Sequence, residues 1–128
     1  MERKRNVVGW FEIPSSNFER AVQFYETVFD LKLAVQDLGE LKMATFPSGD
    51  VPGAAGAIVF AEKFYKPSAE GVLIYFTSPS DDLANEEVRI VNAGGKILIP
   101  KRQISEENGY MCLFEDSEGN RIALHSPG

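Results

Sequence analysis

Val7-Val8-Gly9-Trp10-Phe11-Glu12-Ile13, closed by Pro14, runs into Ser16-Asn17-Phe18-Glu19-Arg20-Ala21-Val22-Gln23-Phe24-Tyr25-Glu26-Thr27-Val28-Phe29. The apolar run before the proline predicts a strand over 7–13. Ser16 and Glu19 have the Ser-x-x-Glu spacing of a capping box, which satisfies free amides at a helix start. Phe18, Ala21, Val22, Tyr25, Val28 and Phe29 then recur at the offsets of one buried helical stripe. Arg20, Gln23, Glu26 and Thr27 fall on the other side. Beyond the helix, Leu31, Leu33 and Val35 alternate with Lys32, Ala34 and Gln36, the pattern of a half-buried strand. Asp37 to Glu40 reads as a turn, Leu41 to Phe46 as a third strand, and Gly56 to Ala61 as a fourth. The Pro- and Gly-rich segment from Pro47 to Gly53 reads as a loop.

The order then repeats at a spacing of about 64 residues. Lys66 to Gly71 is a linker and Val72 to Thr77 a strand. Asp81 and Asp82 are placed to cap a second helix, expected to bury Ala84, Val88 and Val91 and to stop at Gly94-Gly95. Lys96 to Ile104 follows as a strand, with Pro100 at an edge or bulge. Glu107-Asn108-Gly109 makes a hairpin turn, Tyr110 to Glu115 a strand, Asp116 to Asn120 a turn, and Arg121 to His125 the last strand. The expected fold class is α+β: one domain over 1–128 with two βαβββ repeats, 6–62 and 71–126, whose curved mixed sheets pair around a cleft.

Composition narrows the function. A formal net charge of −6 argues against a general phosphate-backbone binder, and Arg3-Lys4-Arg5 reads as a solvated end. No stretch approaches a membrane span and no apolar segment follows the basic residues, so a cytoplasmic protein is expected. Cys112 is the single cysteine, which rules out an intrachain disulfide; its apolar setting predicts a buried thiol. Neither a Gly-x-Ser-x-Gly elbow nor a phosphate loop is present. Gly53-Ala54-Ala55-Gly56 lacks the lysine and helix of such a loop and reads as a strand entry with close backbone packing.

Phe11-Glu12-Ile13-Pro14, Glu19-Arg20-Ala21 with Phe24-Tyr25, Ala93-Gly94-Gly95-Lys96, and Asp116-x-Glu118-Gly119-Asn120-Arg121-Ile122 together resemble the vicinal oxygen chelate superfamily, the group of glyoxalase I, bleomycin-resistance proteins and extradiol dioxygenases. The matches fall in register across both repeats. The resemblance implies the glyoxalase/bleomycin-resistance/dioxygenase fold and a homodimer. It also implies, for the metal-dependent members, ligands on several strands. Those positions fall here on Trp10, Leu73, Ala123 and Ile58 or Val59, none of which is a metal ligand. Independently, a two-histidine-one-carboxylate centre needs two imidazoles, and the chain has one histidine, His125. No cofactor is therefore expected; a weak oxygen-ligated Mg²⁺ or Mn²⁺ stays open but is disfavoured.

Side chains two apart on a strand share a face. If Trp10 faces the cleft, so does Glu12; Leu73 brings Tyr75; Ala123 brings Arg121 and His125. These residues are the candidate ligand-binding cleft, and no catalytic residue is assigned. Trp10 reads first as a core or interface anchor, and Glu12 equally as the partner of Arg121 in a salt bridge. Tyr75 reads first as packing with its hydroxyl at the cavity edge, and His125 first as a hydrogen-bonded structural residue rather than a general acid or base. The reading is metal-independent binding of a small organic molecule. The alternative is a metal-dependent lyase, isomerase or dioxygenase resembling glyoxalase I. A third is an interaction module whose own side chains fill the cleft.

Overall fold

In the computed structural model, residues 6–128 are described, and Arg3-Lys4-Arg5 lies outside them. The apolar run before Pro14 forms a strand shorter than expected, β1 (Trp10–Pro14), because Val7 and Val8 stay in solvent. Helix α1 (Phe18–Phe29) buries Phe18, Ala21, Phe24, Tyr25, Val28 and Phe29. Its cap is Asn17, whose side chain accepts the Arg20 amide, and not the expected Ser16–Glu19 box. The reason lies far along the chain: the Ser16 and Asn17 amides are already taken by Glu118. Asp30 closes the helix in the left-handed conformation.

Strand β2 (Ala34–Asp37) starts later than the alternation suggested. Leu33 is drawn into the core and gives its amide to the Glu26 carboxylate, which takes residues 31–33 out of the ladder. β3 (Lys42–Thr45) and β4 (Ala55–Phe60) complete a mixed sheet of order β1-β4-β3-β2, with β1 parallel to β4. The second half repeats it. β5 (Ile74–Thr77), α2 (Ala84–Ile90), β6 (Lys96–Ser105), β7 (Gly109–Glu115) and β8 (Arg121–Ser126) give the order β5-β8-β7-β6, with β5 parallel to β8. Pro100 sits at a register shift between Ile99 and Arg102, where the missing N–H is tolerated. Among the described residues no helix is long and apolar enough to cross a membrane.

The expected stripe on α2 is on the wrong side. Val88 and Val91 are exposed, while Glu86 and Ile90 are buried. Glu86 is tolerated inside because Ser78 and Ser80 donate to its carboxylate at 2.5 and 2.8 Å and Arg89 lies 3.6 Å away. Helix entry uses Asp82, which accepts the Ala84 amide and pairs with Lys101 at 2.8 Å; Asp81 adopts a positive φ of 65° instead of capping. Cys112 is wholly buried, and burial pushes its thiol up to about 12.

One core joins the halves: Phe24 and Tyr25 of α1 pack with Phe114 of β7 and Phe76 of β5. A polar clasp reinforces it. Asp116, 3% exposed, accepts the Tyr25 hydroxyl at 2.6 Å, the Asn120 side-chain amide at 3.0 Å and the Glu118 and Asn120 backbone amides. Asn120 also reaches the Pro14 carbonyl. Glu118 grips the start of α1 through two backbone amides and a two-point pair with Arg20, its Oε2 2.7 Å from Nε.

These bonds, Arg20 foremost, hold the Glu118 carboxyl down from 4.5 to about 2 against the cost of burial. Glu118 therefore contributes stability that is complete above its unfolded value near 4.5 and is lost as pH falls towards 2. Burial raises Asp116 above 3.8, so protonating it favours the folded state and partly offsets that loss. Glu118→Gln is expected to cost roughly 2 kcal/mol in urea unfolding at neutral pH, allowing for the solvent around Arg20, and far less at pH about 2.5. An equal cost at both pH values would rule out the ion pair as its source.

Candidate ligand-binding cleft

β1 and β5 are edge strands of their sheets, and the molecule opens between them. The opening is a cleft of about 920 Å³. Its walls are Trp10 and Glu12 of β1, the segment around Leu73 and Tyr75, and the loop from Pro47 to Ala54. Its floor is aromatic: Phe76 packs against Phe11, Phe29 and Phe46 with ring centroids 5.7, 4.8 and 5.3 Å apart. The volume and mostly apolar lining are those of sites that enclose drug-sized organic molecules.

Glu12 is held in a defined orientation. Its Oε1 accepts the Tyr65 hydroxyl at 2.6 Å, and its Oε2 accepts the Trp10 indole N–H at 3.2 Å. The Tyr65 phenol is raised in turn, first by that hydrogen bond. Glu12 makes no salt bridge with Arg121. Arg121 Nη2 donates to the Gly71 carbonyl at 3.2 Å, while its Nε is buried without a partner. Both residues line a smaller adjoining cavity of about 190 Å³, together with Lys66, Ser68 and Asn120.

The expected residues thus divide. Trp10, Glu12, Leu73 and Tyr75 line the main cleft, and Arg121 lines the adjoining cavity. Ala123 is wholly buried beside Tyr75 and lines neither. His125 lines neither as well; its Nε2 lies 2.6 Å from the Asn108 carbonyl and secures the β6–β7 hairpin. Residues the parity argument missed are Phe11 and Phe76, on the opposite faces of the same strands, and the 47–54 loop. Parity fails here because the cleft opens past strand edges, where both faces of β1 and β5 are reached. One sequence signal was available: Gly56 lies directly under the Phe11 ring, where a Cβ would collide with it.

The donor set does not fit a resident metal. Ile58 and Ala123 are fully buried, Val59 is apolar, and among the described residues no three His, Cys, Asp or Glu side chains gather.

Fold and cleft together define a two-half α+β domain with a ligand-sized opening between its sheets. The chain belongs to the Glyoxalase/Bleomycin resistance protein/Dioxygenase superfamily, which it matches over residues 7–124. It is 29% identical over 121 residues to a glyoxylase-like domain-containing protein from Didymella fabae, covering 91% of each chain. The fold is similar to that of a glyoxylase/bleomycin resistance protein/dioxygenase domain from Frankia sp. EAN1pec, with a TM-score of 0.69, 16% identity and coverage of 94% and 97%. It is equally similar to a glyoxalase I variant from Zea mays, at a TM-score of 0.69 and 16% identity. There it covers 93% of this chain but 46% of the other, so it spans about half of that protein.

Proposed function

We propose that this protein binds a small organic molecule in the cleft between its halves and needs no metal to do so. The observation that carries this reading is an apolar opening of about 920 Å³ whose rim offers one oriented carboxylate and no cluster of metal donors among the described residues. The floor of phenylalanines supplies apolar contact area, and Glu12 with its two donors supplies direction. Membership of a superfamily that includes bleomycin-resistance proteins supports a binding role.

The test is a screen of aromatic fragments against chelator-treated, nitrogen-15-labelled protein by NMR. Hits are expected to shift the Trp10 indole and the amides of 72–77 and 47–56 together. Shifts that appear solely after a divalent metal is added would overturn the metal-independent reading, and a screen with no hits in this region would remove the cleft as a site.

A further inference from the structure

We propose that the cleft selects cations: an organic amine or quaternary ammonium with an apolar body, its charge held at Glu12. The inference rests on the reading of the cleft as a binding site and names its ligand class. Glu12 is the sole charged side chain among the described residues lining the opening, which is otherwise aromatic, aliphatic or small. Its two hydrogen-bond donors, Tyr65 and Trp10, are neutral, so they orient the carboxylate without cancelling its charge. Glu12 also forms no ion pair among the described residues. Trp10 and Tyr75, 44% and 51% exposed, stand on the same lining, and aromatic rings beside a carboxylate suit a cation. An anionic ligand would instead bring a like charge to a partly desolvated carboxylate. Arg121 and Lys66 line the adjoining cavity of about 190 Å³, which is too small for a ligand body.

Trp10 is the only tryptophan in the chain, so intrinsic fluorescence reads the cleft directly. The experiment titrates the full chain with phenethylamine, phenethyl alcohol and phenylpropionate, then repeats this with Glu12→Gln, checking the fold of the variant by circular dichroism. The amine is expected to bind about tenfold tighter than the alcohol, and phenylpropionate weakest. In Glu12→Gln the tenfold preference for the amine over the alcohol should disappear. An alcohol or carboxylate that binds the native protein as tightly as the amine would overturn the proposal and leave the cleft standing, as would a preference that survives Glu12→Gln. No response of Trp10 to any of the three probes would reject the cleft itself, and the proposal with it.

Discussion

Replacing Asp116 with alanine is expected to destabilise the protein by about 3 kcal/mol or more, because it strands buried hydrogen-bond donors. The Tyr25 hydroxyl is wholly buried and points at Asp116 from 2.6 Å; the Asn120 side chain and two backbone amides converge on the same carboxylate. Burial and the Asp116 charge push the Tyr25 phenol well above its ordinary value, so it remains a donor at every working pH. Tyr25→Phe removes one of these bonds with its donor and should cost about 1 kcal/mol. Equilibrium urea unfolding of both variants measures the difference. A cost for Asp116→Ala within about 0.5 kcal/mol, the range of an ordinary surface substitution, would mean the turn is not a clasp.

Phe24→Ala should cost about 4 kcal/mol, at the upper part of the range for a buried aromatic. Phe24 has no exposed surface and packs edge-on to Tyr25, 5.1 Å between centroids, and against Phe114 of the second half at 6.2 Å. It also fills the space beside Gly95, where a Cβ would stand 2.7 Å from its ring. The cavity left by alanine would therefore lie between the halves. Unfolding should stay a single transition with a lower midpoint. Two separated transitions would show that the halves own separate cores.

The Asp116-to-Ile122 motif and the α1 stripe were visible in the sequence because each is local, and both became contacts between the halves. The α2 stripe was not. Val88 and Val91 look like core residues by period, but Glu86 goes inside because two serines six and eight residues earlier neutralise the cost of burying it. The helix cap was misplaced for a similar reason: Glu118, about a hundred residues away, takes the Ser16 amide that Glu19 would have bonded. In the cleft, alternation along the strands found Trp10, Glu12 and Tyr75 but also promoted Ala123 and His125, which face the same way on an interior strand and never reach the opening. Which strand forms an edge is a property of topology, and period alone does not carry it.

Calorimetric titration of chelator-stripped protein with Ni²⁺, Mn²⁺, Zn²⁺ and Fe²⁺ tests the proposed metal-independent binding most directly. The predicted result is no stoichiometric binding at micromolar metal, since Trp10, Leu73, Val59 and Ala123 offer no donors. One metal bound tightly per chain would contradict the account and turn attention to metal-dependent chemistry.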